Sequence, residues 1–516
     1  MIHTITLRIQ PDKLDDLEFI KISAAKLLAL DVQDIDIVQV LRRSVDARGR
    51  RPVFQVQVAV YQGEAATELF CPVFYQGVKQ RKKVLIVGSG PAGLFAALRL
   101  IERGLTPIVL ERGKDVKGRR FDLKTLQAAG QVNPDSNFCF GEGGAGTYSD
   151  GKLYTRSTKR GDVKKIMSIL VQHGAVRDIL VNAHPHIGSN KLPRIIKAIR
   201  NTIENCNGQI HFNSRVTDLI LQNNKILGVR TENQEFLADA VILATGHSAR
   251  DIYELLDKRH ILMEAKDYAM GVRVEHSQEL INAIQYGKYK DSHFLPAASY
   301  SLACQVEKTG VYSFCMCPGG MVIPAATATG ELVLNGMSNS ARNMPHANAG
   351  IVVTIGQAQY QGYEKFKHFA GLEFQKETEK RAFHAGGSTQ AAPAQRLTDF
   401  LKDRISCTLP STSYIPGMVT YPLQEVLGPH ISGALKQAFQ VFGQKMKGYI
   451  TQDATLLAVE SRTSSPVRIP RMRDTWMHPQ IKGLFPLGEG SGYAGGIVSS
   501  AIDGDTGADA VCAYLG

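Results

Sequence analysis

Three glycines in the segment VLIVGSGPAGLFAALRL could hold a phosphate. Gly88, Gly90 and Gly93 have the spacing G-x-G-x-x-G, follow an apolar run of strand length and open an amphipathic helix. In such a unit the glycines allow a tight turn, a close approach to a pyrophosphate and close helix packing. The segment TPIVLERG then predicts a strand ending at Glu111, where a carboxylate can accept from ribose hydroxyls. These features predict a dinucleotide site that also includes Pro91, Ala92 and Arg112.

A second set of glycines, Gly141, Gly143 and Gly146 in FGEGGAGTYSDGK, repeats the spacing without the context. The residues before it are too few and too mixed for a buried strand, and those after it form a poor helix. We interpret the segment, which also contains Gly144, as an irregular loop whose backbone can approach a flat or anionic ligand. The chain is therefore expected to contain one Rossmann unit.

Two later stretches indicate which dinucleotide is bound. Residues 209–249 predict a strand, a turn at Asn223 and Asn224, a strand, a turn and a last strand that ends in ATG. Residues 483–511 predict a short strand, a glycine loop and a helix. Together with the GRR sequence at 118–120, they resemble the FAD-binding superfamily typified by glutathione reductase, in which the C-terminal segment returns to the first domain.

This resemblance implies FAD as the cofactor. In that superfamily the acid matching Glu489, more often Asp, holds a ribityl hydroxyl. The helix start matching Gly495 and Gly496 points its N–H groups at the flavin N1/C2 carbonyl edge, which stabilises the negative charge of reduced flavin. The strand around Val216 would meet the adenine through its backbone. The implied cofactor contacts are Arg119, Arg120, Val216, Ala244, Thr245, Gly246, Gly488, Glu489, Gly495, Gly496 and Ile497.

A closer resemblance runs nearly from end to end. It is carried by FGEGGAGTYSDGKL, PHIGSNKL, GVRVEH, SFCMCPGG, LNGMS, ESRTSSPVRIPR and GEGSGYAGGIVSSAIDG. Together these motifs are similar to an FAD-dependent dehydrogenase family of bacteria and plastids, of the NAD(FAD)-utilising type, for which no substrate is established. NAD(P)H, if it is the donor, is expected to enter the substrate cleft transiently, because residues 251–475 contain no second strand, glycine turn and helix.

Two pairs of residues could act beside the flavin. Ser149 and Lys152 follow the glycine loop, and a cation near the pyrimidine edge would stabilise anionic flavin; the alternative is a solvated or structural lysine. Cys315 and Cys317 lie in a predicted strand, where alternation points both thiols to one face. They are either a redox pair or small buried hydrophobic residues, and the second is the commoner outcome.

Three further residues are candidates for contact with a substrate. Arg273 and His276 in GVRVEH and Arg462 in ESRTSSP could clamp a carboxylate or phosphate, and His276 could donate a proton. The alternative for Arg273 is an ion pair with Glu275 on the same strand.

Metal binding is not expected. His184 and His186 resemble metal ligands by spacing alone, with no residue nearby to complete a set. None of the eight cysteines forms C-x-x-C, which argues against a zinc ribbon and against a dithiol of the thioredoxin-reductase type.

Composition predicts a cytoplasmic globular protein. The chain has 516 residues, 44% apolar and 21% charged, and lacks both an apolar run of about 20 residues and the apolar core of a signal peptide. In such a protein the thiols are expected to be reduced. The net charge of +12 is concentrated at 42–51, 79–83, 117–120 and 468–473, either as solvated surface or as a field that attracts an anionic cofactor, substrate or nucleic acid.

The fold class predicted is α/β. Residues 1–64 form a small β-α-β-β module like half of a ferredoxin-like sandwich, and 65–83 form a linker. Residues 84–250 and 476–516 form a discontinuous Rossmann-type FAD-binding domain, into which a mixed α+β substrate domain is inserted at 251–475.

These features predict an FAD-dependent oxidoreductase that transfers hydride or electrons between a donor and an unidentified small organic substrate. One alternative is a flavoprotein that reduces a quinone or prenyl lipid at a membrane surface. Another is an RNA-associated flavoprotein, although the N-terminal module lacks aromatic RNA-stacking motifs, and no stable nucleic-acid partner is expected. A non-catalytic flavin sensor is a third. No transmembrane segment is predicted, and the sequence leaves the oligomeric state open.

Overall fold

The computed structural model describes residues 1–79, 82–155 and 160–516, so Gln80 and Arg81 of the predicted linker lie outside the described residues. The strands, in chain order, are β1 (Ile2–Ile9), β2 (Ile37–Asp46), β3 (Val53–Tyr61), β4 (Lys83–Val87), β5 (Thr106–Leu110), β6 (Gln209–His211), β7 (Val216–Gln222), β8 (Lys225–Thr231), β9 (Glu235–Leu237), β10 (Ala240–Leu243), β11 (Glu264–Ala265), β12 (Tyr268–Ser277), β13 (Ala303–Val306), β14 (Thr309–Cys317), β15 (Gly320–Pro324), β16 (Leu334–Ser338), β17 (His346–Ile355), β18 (Ala392–Arg396), β19 (Met418–Thr420), β20 (Thr455–Glu460), β21 (Val467–Arg468) and β22 (Leu484–Pro486).

The α-helices, in chain order, are α1 (Leu17–Leu28), α2 (Pro91–Glu102), α3 (Val116–Ala129), α4 (Val163–Gln172), α5 (Leu192–Asn205), α6 (Arg250–Lys258), α7 (Gln278–Tyr286), α8 (Ala370–Ala385), α9 (Leu397–Phe400), α10 (Leu423–Lys445) and α11 (Ile497–Leu515). Within the described part of the chain, no helix combines the length and the apolar character that crossing a membrane requires.

A parallel five-stranded sheet carries the first glycine fingerprint. Its strand order is β22-β10-β4-β5-β6. Strands β5 and β10 are buried along their whole length, as expected where helices cover both faces of a parallel sheet. Strand β22 and the following α11 come from the end of the chain and complete this sheet and its helical layer, so the α/β class with a parallel Rossmann-like sheet is confirmed.

A small antiparallel sheet, β7-β8-β9, lies between β6 and β10 in the chain. The turn predicted at Asn223 and Asn224 joins β7 to β8, and both residues have positive φ, 49° and 56°. Two consecutive left-handed residues match the right-handed twist of a hairpin, and Asn tolerates this conformation. The short strand β9 was not predicted.

A second large sheet has the order β13-β14-β17-β12-β20-β18-β19. Its neighbours are antiparallel except for the parallel pair β18 and β19, so the sheet is mixed, as predicted. The segments GVRVEH and GVYSFCMC form β12 and β14, as predicted. Nine of the ten residues of β12 are buried, and α10 packs against this sheet to form the largest apolar core.

The N-terminal residues form an antiparallel sheet with the order β1-β3-β2 and one helix, in the predicted order β-α-β-β. Asp16 caps α1 by accepting from the Phe19 N–H at 2.9 Å. The Arg43 N–H of β2 donates to Val181 at 2.8 Å, which fixes the module against the segment before α5. The predicted domain limits stay predictions.

Candidate functional site

A cavity of about 330 Å³ lies at the carboxyl ends of the parallel strands. It is lined by Val87 and Leu110, the last residues of β4 and β5, and by residues that follow β10 and β22. Phe314 and Cys315 of β14 line the opposite side. Ligands of open parallel sheets bind at this edge, so the cavity is the candidate site.

The three glycines of the first fingerprint have different positions relative to the cavity. Gly88 turns the chain with φ of 106°, and Gly90 lines the cavity as the N-cap of α2. Gly93 does not line the cavity; a Cβ there would lie 2.0 Å from the Gly88 carbonyl oxygen, so this glycine lets α2 pack on the turn. Pro91 and Ala92 line the cavity.

A second helix begins at the same cavity. Gly496, with φ of 146°, is the N-cap of α11. Helices α2 and α11 approach so closely that a Cβ on Gly504 would lie 2.0 Å from the Ala92 carbonyl oxygen. Both N-cap residues are glycines without a capping side chain, so the first turns of both helices present N–H groups and positive dipole ends to the cavity. The neighbouring Gly488, Glu489, Gly495 and Ile497 also line the cavity.

Glu111 ties the fingerprint turn to the glycine loop. One carboxylate oxygen accepts from the Ser89 N–H at 2.9 Å and hydroxyl at 2.7 Å, and the other accepts from the N–H groups of Gly113 at 2.9 Å and Gly141 at 3.0 Å. Glu111 and Arg112 both line the cavity. Because protein donors already occupy both oxygens, a ribose hydroxyl would have to share the Glu111 carboxylate with them.

The literal second fingerprint is a loop and not another Rossmann turn, as predicted. Its Gly144 lines the cavity, where a Cβ would lie 3.1 Å from the Gly90 Cα. Gly146 lines the cavity too, whereas Gly143 lies behind it and donates to the Ser89 carbonyl at 3.0 Å. We call the segments 88–92, 141–146 and 488–497 the backbone cradle.

Arg119 supports the cradle from behind and does not line the cavity, which corrects its predicted contact with the cofactor. Its fully buried guanidinium donates to the carbonyls of Asn137 at 2.8 Å, Phe138 at 2.9 Å and Glu142 at 2.9 Å. These bonds fix the glycine loop in shape. Arg120, the next residue of α3, is exposed and does not line the cavity either.

The other cofactor residues predicted from the resemblance do line the cavity. They are Val216, Ala244, Thr245 and Gly246. Ser149 lines it as well, but its hydroxyl donates to the Gly146 carbonyl at 2.8 Å and accepts from the Gly151 N–H at 3.0 Å. Ser149 therefore shapes the end of the loop.

Lys152 lies where the glycine loop meets the second sheet. Its Nζ is 3.5 Å from Cys315 Sγ and 3.8 Å from an Asp150 carboxylate oxygen. Although burial opposes the charge, Cys315, Cys317 and Asp150 raise the pKa of Lys152. Asp150 is buried, and Lys152 and Arg342 hold its pKa below the ordinary range against the effect of burial. The cavity therefore has a fixed cation on this side.

Cys315 and Cys317 approach each other more closely than strand alternation alone predicts. Their sulfur atoms are 3.8 Å apart, at a register shift between β14 and β17. Cys315 has φ of 45° and lines the cavity, whereas Cys317 is fully buried. The hydrogen bond from Cys317, together with Lys152 and Arg273, holds the pKa of Cys315 well below its usual value although burial opposes this.

Two predicted catalytic residues lie inside the second sheet and not at the cavity. Arg273 is fully buried and pairs with Glu460 at 2.6 Å, not with Glu275 on its own strand; its Nη1 also donates to the Cys315 carbonyl at 3.1 Å. His276 is buried and bonds the Tyr449 carbonyl at 2.8 Å. The predicted substrate clamp and proton donor are corrected accordingly, because both side chains point into the core.

Arg462 does line the cavity, but its guanidinium is already paired. It donates to Glu379 at 2.9 Å, Glu331 at 2.8 Å and Thr327 at 2.6 Å. Arg250 of α6 joins the same two carboxylates at 2.8 Å each, so two buried cations balance two buried anions. Arg462 therefore belongs to a buried ion-pair set with Arg250 of α6, and each of its three guanidinium nitrogens already donates to a described residue.

His247 was missed by sequence reasoning. It lines the cavity directly after the ATG sequence, and its position there is the signal that could have found it. Burial and the charges of Arg462, Lys266 and Arg250 lower the pKa of His247 to about 3, so it is neutral at pH 7. By contrast, His186 bonds the Ser340 carbonyl at 3.2 Å, and His184 contacts the Tyr154 ring. The described residues contain no group of three ligating side chains suited to a metal ion.

Known proteins share these segments. Residues 82–281 match the pyridine nucleotide-disulphide oxidoreductase family, and residues 267–463 match the FAD-dependent protein, C-terminal domain-like family. An uncharacterized protein of Clostridium beijerinckii is 39% identical over 510 residues, 95% of each chain. The chain belongs to the FAD-dependent pyridine nucleotide-disulphide oxidoreductase family. This oxidoreductase also carries, at residues 1–61, a match to a domain of unknown function.

Solved flavoprotein structures resemble this oxidoreductase more distantly. The flavin-dependent brominase Bmp2 is 13% identical, with 84% of this chain and 80% of that chain covered and a TM-score of 0.37. Glycine oxidase from Geobacillus kaustophilus is 12% identical, with 84% of this chain and 95% of that chain covered and a TM-score of 0.35.

Proposed function

We propose that this FAD-dependent oxidoreductase is a dehydrogenase that binds FAD along the backbone cradle and a small organic substrate between the flavin and β14. The observation that carries the proposal is the convergence of two helix N-termini, those of α2 and α11, on one cavity at the carboxyl ends of a parallel sheet. Free N–H groups and dipole ends favour a pyrophosphate at one helix and the electron-rich edge of a flavin at the other.

The residues fit FAD in their chemistry. Gly88 and Gly90 leave room for a pyrophosphate beside α2, and the backbone at Val216 offers an edge for adenine. Glu111 supplies a carboxylate on the ribose side. Burial raises the pKa of Glu489, partly offset by a bond from the Gly496 N–H, and this carboxyl group would bond a ribityl hydroxyl.

Bound flavin would supply hydride or electron transfer, and the chain's own side chains would supply orientation and charge. Lys152 would hold positive charge beside the flavin and favour its anionic reduced form. The neutral imidazole of His247 and the ring of Phe314 would shape the face open to substrate. NAD(P)H would reach the same face transiently, because the described part of residues 251–475 has no second glycine turn of the Rossmann type.

The first test is a visible absorption spectrum of the purified protein, repeated after anaerobic addition of NADH and of NADPH. A flavin spectrum that bleaches rapidly with one nucleotide supports the dehydrogenase with a nicotinamide donor. Release of FAD on heating would identify the flavin. A pair of variants, Gly90→Val and Gly433→Ala, separates the cradle from general folding, because a Cβ placed on Gly433 would meet no described atom within 4 Å beyond the neighbouring backbone of its own helix.

Two outcomes contradict parts of the proposal. If the protein neither carries nor takes up FAD, the cradle assignment is wrong. If flavin is bound but stays oxidised with both nucleotides, NAD(P)H is not the donor. The donor is then the organic substrate or another protein. The Gly90→Val variant is expected to lose FAD and Gly433→Ala to retain it; equal retention would remove α2 from the binding site.

A further inference from the structure

We propose that Cys315 and Cys317 are a redox-active dithiol that exchanges two electrons with the flavin, with Cys315 as the sulfur that faces the cavity. The inference rests on the proposed function, because the flavin is the electron carrier at the other end. The pair belongs to the second sheet and not to the helix after the first fingerprint, and its spacing is C-x-C.

The backbone of β14 brings the two sulfur atoms together. In a regular strand, residues two positions apart are separated by about 6.6 Å, with parallel side chains. Here the register shifts between Phe314 and Cys317, and Cys315 adopts φ of 45°. This conformation is unfavourable for a residue with a Cβ, and the surrounding structure must enforce it. The sulfur atoms lie 3.8 Å apart, so a shift of about 2 Å would bring them to the bonding distance of a disulfide.

Arg273 holds this bulge in place. Its guanidinium, anchored on Glu460 at 2.6 Å, donates to the Cys315 carbonyl at 3.1 Å and to Asn348 of β17 at 2.7 Å. A buried cation that is bonded to the thiol's own carbonyl both fixes the backbone and adds positive potential at the sulfur. Arg273 is therefore a positioning residue for Cys315.

The charges around the pair favour a thiolate at Cys315 and a thiol at Cys317. Lys152 lies 3.5 Å from the Cys315 sulfur, while the neighbouring Asp150 is neutralised by Arg342 at 2.6 Å. The hydrogen bond to Cys315 and burial raise the pKa of Cys317, so this sulfur keeps its proton. A thiolate is the reactive form in exchange chemistry.

The other buried cysteine shows what a structural thiol looks like in this protein. Cys206 packs in the core beside α5, where burial raises its pKa. It has no cation near its sulfur among the contacts described. Cys304, on the neighbouring strand β13, likewise has its pKa raised by burial. The environment of Cys315 is therefore specific to that thiol and is not a general property of cysteines in the sheet.

The electron exchange balances without another reactant. In one direction, the Cys315 thiolate and the Cys317 thiol form a sulfur–sulfur bond and give up two electrons and one proton, which convert oxidised flavin to the anionic reduced form. In the other direction, the disulfide accepts two electrons and one proton, the sulfur–sulfur bond breaks, and Cys317 recovers its proton. Lys152 stays protonated throughout and stabilises the Cys315 thiolate.

The test counts thiols and electrons in the flavin-loaded protein. Samples are equilibrated in dithiothreitol and in glutathione buffers of increasing oxidation, quenched with acid, unfolded and alkylated. The wild type, with its eight cysteines, should label eight sites when reduced and six when oxidised. Cys315→Ser and Cys317→Ser should each label seven in both states, and the control Cys304→Ser should label seven and then five.

A second readout connects the pair to the flavin. Anaerobic dithionite titration of the oxidised wild type should consume four electrons per flavin, against two for Cys317→Ser. In addition, Lys152→Met should slow alkylation of Cys315 at pH 7 at least tenfold, with partial recovery in Lys152→Arg. Circular dichroism and bound flavin identify a variant that fails to fold, in which case Cys317→Ala replaces Cys317→Ser.

Three results would overturn the inference. One is eight labelled thiols in every buffer; another is a single fast thiol that never pairs, which would make Cys315 a lone nucleophile; the third is uptake of two electrons by the oxidised wild type. Each leaves the flavin spectrum intact. A protein without flavin would instead overturn the proposed function, a result that the spectrum reports independently of the thiol count.

Discussion

The backbone cradle and the side chains opposite it contribute to one cavity in different ways. The cradle presents N–H groups and bare Cα atoms, so its chemistry depends on glycines at fixed spacing in short segments. The opposite side presents Lys152, Cys315 and Arg462, which come from three distant parts of the chain and depend on buried partners for their charge. A site made of backbone therefore tolerates changes in side-chain chemistry but is sensitive to added volume. A site made of side chains is sensitive to side-chain chemistry and tolerates added volume better.

The largest expected effect comes from a change to the charged side chains opposite the cradle. Arg462→Met removes one of two cations from the buried set with Glu331 and Glu379, and leaves an unbalanced carboxylate. We expect a loss of about 3–5 kcal/mol in the free energy of unfolding, measured by urea denaturation. The control Arg259→Met breaks an exposed pair with Asp218 and should cost about 0–1 kcal/mol. Equal losses in the two variants would show that the buried set has no special weight.

The second largest effect comes from adding volume beside the backbone cradle. Gly93→Ala places a methyl group 2.0 Å from the Gly88 carbonyl oxygen, so α2 must move away from the turn. Overpacking of this kind should cost about 3 kcal/mol and reduce FAD retention on gel filtration. Retention and thermal stability equal to those of Gly433→Ala would contradict the close packing of this turn.

A third prediction concerns how pH changes the stability of the second sheet, which carries Cys315. Burial lowers the pKa of His276 to about 4 in the folded chain, against 6.5 for an exposed histidine. The neutral ring is therefore compatible with the fold above pH 6.5, and its contribution is lost as the pH falls from 6.5 towards 4. Between pH 7 and pH 5 we expect it to account for about 2 kcal/mol of lost stability.

Urea denaturation of the wild type and His276→Gln at both pH values measures this contribution. The amide of Gln can still donate to the Tyr449 carbonyl but does not titrate, so the variant should show a smaller loss between pH 7 and pH 5. Parallel losses would mean that His276 is not the group responsible.

The smallest expected effect comes from removing one charge among the side chains opposite the cradle. Lys152→Met should lower the midpoint potential of bound FAD by about 30 mV, or about 1.4 kcal/mol for two electrons, because the cation favours the reduced anion. Equilibration with a reference dye measures it, and Lys402→Met, an exposed lysine elsewhere, serves as the control. An unchanged potential would remove Lys152 from the flavin's surroundings.

The features that form as predicted are those that one short segment specifies. The fingerprint around Gly88, the turn at Asn223 and Asn224, and the strands of GVRVEH and GVYSFCMC all form as predicted. Sequence reasoning failed where a side chain's role depends on a partner far away in the chain. Arg119 looked like a cofactor contact but supports a loop, and Arg273 pairs with Glu460, 187 residues away, and not with Glu275.

The sequence by itself determined the parallel sheet and the first glycine turn, because glycine spacing and strand periodicity act over a few residues, and its resemblance to a flavoprotein family implied FAD. Only the tertiary structure decided which charged side chains reach the cavity and in what state. Lys152 and Cys315 are 163 residues apart, and a bulge in β14 and a buried Arg273 bring the thiol to the cation. Burial and neighbouring charge set the protonation of such groups, and both exist only once the chain is folded.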